Sequence, residues 1–152
     1  MDSFAFLDTS DLTDGEITLR LDRTVEGDPE RNWVPAYHFA ICDAKGTVMG
    51  GCDLRVGYNE NTYYGGNIGY HVDPPFRGHH YATKACRLLF RLARRHGMPS
   101  VWITCDPDNA ALRRTCETLG GTLLEVADIP EDHPMRLEGK TKVCIFRFEW
   151  EN

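Results

Sequence analysis

Apolar and polar residues follow a definite period along most of this chain, and the period changes from stretch to stretch. Ile17, Leu19 and Leu21 alternate with Thr18, Arg20 and Asp22, the pattern of a half-buried strand. Ala36 to Cys42 and Thr47 to Val56 read as a hairpin turning on Asp43-Ala44-Lys45-Gly46. Met49-Gly50-Gly51 interrupts its second strand and predicts a bulge or a close backbone approach. Asn67 to Val72 is the next strand. From Tyr81 the period lengthens: Ala82, Ala85, Leu89 and Leu92 recur at spacings of three and four and predict an amphipathic helix that stops at Gly97. Val101 to Thr104 is a short buried strand, and Leu112, Cys116 and Leu119 share one face of a second helix capped by Asp108 or Asn109. Thr122 to Val126 and the alternating Lys142 to Trp150 close the series.

Strand, helix, strand implies a parallel pair, 67–72 with 101–105, joined by a right-handed crossover. The order of elements predicts an α/β (mixed α+β) fold, a mixed central sheet with helices on its faces, in one domain over 1–152. Three stretches lack a clear period. Residues 23–35 are polar and have room for a turn or two. Residues 57–66 form a loop with Tyr58, Glu60, Tyr63 and Tyr64, which lines a pocket or merely connects strands. Residues 127–141 read as a long polar loop.

The candidate chemistry lies between the fourth strand and its helix, in Asp73-Pro74-Pro75-Phe76-Arg77-Gly78-His79-His80-Tyr81-Ala82. A helix N-terminus has unpaired N–H groups and partial positive charge, Arg77 adds a full charge, and Gly78 admits close approach of an anion. Taken alone, this is either an anion cradle or an ordinary helix entered through a basic turn.

The order of residues here resembles motif A of the GNAT superfamily of acyl-CoA-dependent N-acetyltransferases, Q/R-x-x-G-x-G/A, with Arg77 first and Ala82 last. His80 stands where the middle glycine is usual. Downstream, Asn109, Leu112, Cys116, Leu119 and Gly120 resemble motif B, in which an asparagine opens a helix that ends in a glycine eleven positions later. Cys116 occupies the place of a tyrosine that in the family protonates the departing thiolate. The two motifs cover roughly residues 66 to 121.

The resemblance implies a GNAT-like fold with acetyl-CoA as cosubstrate and no metal. It implies a diphosphate held by Arg77 and the N–H groups of Gly78, His79, His80, Tyr81 and Ala82. The pantetheine arm would pair with backbone at Tyr70 and Val72 between splayed strands, with Asn109 opposite. It further implies transfer to a primary amine of a small molecule or peptide. The family's helices between its first two strands are missing from 23–35, so the acceptor side should be open, or completed by another segment or by a second copy in a homodimer.

An alkyl amine with a pKa of ~10.4 is neutral in roughly one molecule per thousand or fewer at pH 7, so a base or a dry site is needed. Asn67 stands where many relatives carry a glutamate. His71 is the candidate base by pKa and place, with Asp53 and Glu60 behind it. Cys116 is the candidate donor to the leaving thiolate, or else a core residue. A binding module that senses acyl-CoA without turnover is the alternative from another class.

Composition narrows the setting. At 152 residues the chain is long enough for a real core. The net charge of -6 argues against nucleic acid as a partner. Basic residues gather on the helix after Arg77, a patch that suits coenzyme A phosphates. No apolar run approaches the length of a membrane span. Met1-Asp2-Ser3-Phe4 lacks the basic and apolar regions of a leader. The six cysteines form no C-x-x-C pair and read as buried, reduced thiols in a cytoplasmic protein.

Overall fold

The computed structural model describes residues 4–150; the start of the N-terminal stretch, Met1 to Ser3, lies outside them, as do residues 151–152. The elements run β1 (Ile17–Val25), β2 (Ala36–Asp43), β3 (Val48–Arg55), α1 (Glu60–Gly65), β4 (Ile68–Val72), α2 (Tyr81–Arg95), β5 (Ser100–Cys105), α3 (Ala110–Thr118), β6 (Thr122–Asp128), α4 (Pro134–Leu137) and β7 (Lys142–Glu149). This is the mixed α/β architecture expected. The central sheet, however, is split in two. One sheet has the order β1-β2-β3-β4 and the other β5-β7-β6, and every ladder in them is antiparallel.

Local chemistry explains the strands. Asp43 fixes the β2–β3 turn, its Oδ1 accepting the N–H groups of Lys45 and Thr47 at 2.9 Å each. Ile41 faces Gly50 while Cys42 faces Val48, so Met49 is an inserted bulge residue. The glycine that follows is needed: a Cβ on Gly50 would overlap the carbonyl oxygen of His71 on β4. Both expectations for Met49-Gly50-Gly51 therefore hold.

α2 is the central helix. Ala85, Cys86, Leu88, Leu89, Leu92 and Ala93 are buried against the first sheet and against Val101 and Ile103 of β5. Each buried leucine is worth about 1.5–3 kcal/mol. Gly97, at φ +75°, ends the helix, with Gly97 N–H on the Arg94 carbonyl and Met98 N–H on that of Ala93. The basic side of α2 is engaged with the N-terminal segment. Lys84 pairs with Glu16, Arg95 grips both oxygens of Asp11 at 2.9 and 2.6 Å, and Arg91 reaches the Thr13 carbonyl. This differs from the expected cofactor patch.

The stretches without a period hold short helices. α1 lies within 57–66 and is opened by a reciprocal cap: Thr62 N–H donates to the Asn59 side chain, and Asn59 N–H to the Thr62 hydroxyl. Its tyrosines cover the outer face of the second sheet. Tyr58 donates to the Ser100 carbonyl, Tyr63 meets Trp102 edge-on, and the Tyr63 hydroxyl donates to Glu125, which with burial pushes its pKa up to about 12. The tyrosines pack rather than line a pocket. Residues 127–141 likewise contain the end of β6 and α4, which His133 caps through Nδ1.

The expected parallel ladder between β4 and β5 does not form. Among the described residues the hydrogen bonds between this part of the chain and β5 run through Asn67, just before β4. Asn67 N–H donates to the Trp102 carbonyl at 2.7 Å, and its Oδ1 accepts the Trp102 N–H at 2.8 Å. Its Nδ2 donates to the carbonyls of Arg55 and Gly57. The side chain is fully buried and all three contacts are met. Beyond this staple no β4–β5 pairing continues, and the strands part.

Replacing Asn67 with leucine leaves one N–H and two carbonyls unpaired in the interior. At about 1 kcal/mol per lost hydrogen bond the expected destabilisation is about 3 kcal/mol or more, read as a lower urea midpoint. All six cysteines are buried and free. A thiol reagent should therefore modify none of them in the native protein and all six after unfolding; prompt native labelling would contradict this packing.

Candidate active site

Between the end of β4 and α3 a cleft of about 520 Å³ opens. Its walls are the end of β4 (Tyr70, His71, Val72), the turn Phe76 to Thr83 without His79, and α3 with its cap (Asn109, Ala111, Leu112, Thr115). The turn is shaped by two left-handed residues, Gly78 at φ +88° and His80 at φ +63°. Alternation of this kind turns successive N–H groups toward one side, the geometry of an anion nest. No side chain caps α2, so the donors of its first turn are free to serve a ligand.

His80 adopts the conformation that a glycine takes without cost, and the residue is exposed at the edge of the cleft. Arg77 is exposed and anchored, its Nε donating to the Val72 carbonyl at 2.8 Å, which leaves the outer guanidinium nitrogens available. Asn109 caps α3 by accepting the Leu112 N–H at 3.1 Å while its side of the helix faces the cleft.

The structure gathers Tyr70, His71, Val72, Arg77, Gly78, His80, Tyr81, Ala82 and Asn109 around one cleft. His79 is not among them; its ring tilts against Tyr81 at 5.5 Å. Cys116 does not reach the cleft either. It is wholly buried beside Cys105 and Cys144, and burial pushes its thiol pKa up to about 12. His71 is exposed, with Nε2 3.8 Å from Asp73 Oδ1 and its ring above Gly51.

Two features were not singled out from the sequence. The Tyr70 hydroxyl is buried without a hydrogen-bond partner, next to Thr115, Cys86 and Cys116, and burial holds its pKa well above the usual phenol value. It stays protonated at neutral pH. The second is a cavity of about 460 Å³ on the other side of β4, bounded by Arg20, Arg23, His38, Gly51, Asp53 and His71 among others. It exists because only the 3-10 turn Pro29–Arg31 stands between β1 and β2. The signal for it was the alternation itself: His38 and Asp53 fall on the opposite face from Phe39 and Cys52.

Comparison with known proteins bears on the fold and the family. The family model described as the acetyltransferase (GNAT) domain matches residues 4–122. No match was found among curated proteins. A GNAT-family acetyltransferase from Bacillus anthracis superposes with a TM-score of 0.59 at 16% identity, covering 74% of this chain and 65% of that one. The microcin C7 self-immunity acetyltransferase MccE, solved with acetyl-CoA and AMP, gives 0.57 at 21% identity over 76% and 61%. An acetyl transferase of Salmonella typhimurium, which modifies the N-terminal serine of the ribosomal protein L7/L12, gives 0.57 at 18% identity over 80% and 67%. The chain spans less than two thirds of the length of the first two, and at these identities the likeness concerns the fold. Since the family model covers most of its length, the chain belongs to the GNAT acetyltransferase domain family.

Proposed function

We propose that this protein transfers an acetyl group from acetyl-CoA to a primary amine of a small molecule or peptide, by direct attack with both substrates bound. The observation that carries the reading is the uncapped, doubly left-handed turn at the mouth of α2, opening on a cleft between the end of β4 and α3. A diphosphate needs several N–H donors on one side and a cation beside them, and Gly78 to Ala82 with Arg77 offer both. The edge of β4 beyond Asn67 suits an extended amide-bearing arm, which would pair with backbone at Tyr70 and Val72, where the Val72 carbonyl now accepts from Arg77 Nε. Acetyl-CoA supplies the activated thioester.

The chain's own part is to hold, orient and keep dry. A backbone N–H near Tyr70 or His71 would receive the developing oxyanion. The protonated Tyr70 hydroxyl is a neutral donor buried in the wall of the cleft beside Thr115. His71 stands at the rim in solvent, and Cys116 lies behind the wall. Reduced buried thiols fit a cytoplasmic setting. Among the described residues no helix is long and apolar enough to cross a membrane. The ribosomal-protein substrate of the Salmonella relative lends support to a peptide amine as acceptor.

In a thermal-shift panel, acetyl-CoA and coenzyme A should raise Tm more than ADP, and ADP more than phosphate. Equal shifts from ADP and acetyl-CoA would reduce the cleft to a nucleotide site. Coenzyme A release that depends on added amine marks an enzyme; binding without release marks an acyl-CoA sensor. Arg77→Ala should weaken acetyl-CoA binding by about tenfold by calorimetry, the worth of one charge-assisted hydrogen bond. Unchanged affinity would move the diphosphate away from this turn. His80→Gly relieves a left-handed residue and should raise stability by about 1 kcal/mol with acetyl-CoA affinity kept. A marked fall in affinity would instead show the His80 ring to be a phosphate donor.

A further inference from the structure

β6 ends the second sheet on one side, and its outer edge is bare. The strand order is β5-β7-β6, so β6 pairs with β7, and among the described residues no other strand pairs with Thr122 to Asp128. Six of its seven residues are exposed. Sheet edges are usually blunted by lysine, proline or an inward charge. β6 contains no lysine or proline, and its Glu125 is held by the Tyr63 hydroxyl. The sheet's other edge strand, β5, faces β4 through the Asn67 staple.

The one irregularity in β6 adds apolar surface. Leu123 faces Phe146 and Val126 faces Cys144, with Leu124 inserted before Glu125 as a bulge. Phe146 and Cys144 are two apart and share a face of the sheet, so Leu123 and Val126, three apart, share it too. α3 lies on that face, with Cys116 beside Cys105 and Cys144, and leaves the edge uncovered. Leu123, Leu124 and Val126 are 42%, 42% and 50% exposed. The two ends of the strand differ in charge. At one end Lys142 Nζ lies 3.0 Å from Asp128 Oδ1, which sets an ammonium above β6 on the face of α3. At the other end α3 runs into Thr122 through Leu119, Gly120 and Gly121. The last turn of α3 carries exposed Glu117 and no basic residue, so the negative end of its dipole lacks a cation.

We infer that β6 pairs antiparallel with β6 of a second copy of this chain, joining two three-stranded sheets into one of six strands. A two-fold axis at Val126 sets the two Val126 side chains against each other and Glu125 opposite Ala127. An axis at Glu125 would oppose two carboxylates, a destabilising arrangement. The antiparallel sense brings the Lys142 end of each copy toward the end of α3 in the other, so a cation meets the negative end that lacks one. Leu123, Leu124 and Val126 of both copies leave water together with the strand edges. The contact is isologous, and with β5 engaged at β4 it closes at two copies rather than growing into a fibre. The cleft is lined by the opposite end of α3, Asn109 to Thr115, so pairing uses none of its residues. An edge of this length buries about 1,200 Å² or less in total, and a dissociation constant on the order of 10 μM is expected.

Sedimentation velocity at rising concentration reads the association, with circular dichroism as the check on folding. The wild type should pass from monomer to dimer and go no further. Val126→Lys should keep the wild-type spectrum and weaken the dimer by about 100-fold. Glu117→Lys and Lys142→Glu should each weaken it by about fivefold at low salt, and the two together should restore it. Because the native cysteines are buried, Val126→Cys supplies one accessible thiol per chain, and bismaleimidoethane should link two copies through it. Val48→Cys, exposed on β3, should give no such link. A wild type still monomeric at about 100 μM would overturn the inference and leave the edge to a different partner. A dimer retained in Val126→Lys, or no cross-link through Val126→Cys, would overturn it as well. Charge reversals without effect would overturn the antiparallel placement. Should Val126→Lys fail to fold, the cross-link through Val126→Cys decides alone.

Discussion

The site depends on a single buried amide. The Asn67 side chain receives the Trp102 N–H where, in a continuing sheet, a backbone carbonyl would serve, and its own N–H groups are spent on Arg55 and Gly57. That satisfies the first rung between the two sheets and offers nothing to a second. β4 and β5 are held together at one end and free at the other. The parted edges keep backbone groups unpaired at the place where an extended ligand would pair with them. Such groups are costly when buried without a partner, so a fold that maintains them against sheet closure needs a strong local tie. Asn67 is that tie, and with every polar atom engaged it is not a base.

A second constraint is the one-sided burial of the first sheet. α2 covers one face with Leu88, Leu89 and Leu92, while on the other the short α1 and α4 stand beside His38 and Arg55 and leave the end at Gly51, Asp53 and His71 open. In a compact domain an uncovered sheet face carries polar or small residues, and here it carries His38, Gly51, Asp53, Gly69 and His71. The missing cover makes room, and the alternation of β4 sends Tyr70 and His71 to opposite sides. One strand thus serves two chambers.

Long periodic segments were legible in the sequence, and short ones were not. α2 and its stop at Gly97 followed from spacing because fifteen residues give four turns of pattern. α1 and α4, at six and four residues, are too short to show a period. The signal for α1 was chemical, the Asn59–Thr62 cap, in a stretch whose tyrosines drew attention to a pocket. The parallel β4–β5 ladder was inferred from connectivity, which fixes neighbours but not whether they bond. Of the site, the turn from Arg77 to Ala82 was legible because its backbone chemistry is local. For Cys116 the choice between thiolate donor and core residue stayed open because motif spacing gives a helix position and not its depth; its full burial favours the core. The cavity across β4 was hard to read because its walls come from four strands meeting, which no single stretch displays.

Electrostatics were the least legible, and the reason is instructive. A chain of net charge -6 with a cluster of arginines on α2 invites the view that the cluster attracts the anionic cofactor. In the fold, Lys84, Arg91 and Arg95 are bound to Glu16, Thr13 and Asp11, so part of that charge is neutralised by the protein's own N-terminal segment. Exposed pairs of this kind contribute about 0–1 kcal/mol each and leave little field beyond a Debye length of about 8 Å at physiological salt. Attraction for a diphosphate must then come from contact, through the unpaired N–H groups of one turn and the single guanidinium of Arg77. What the cleft beside α2 offers a ligand is therefore a few groups without partners, and not the overall charge.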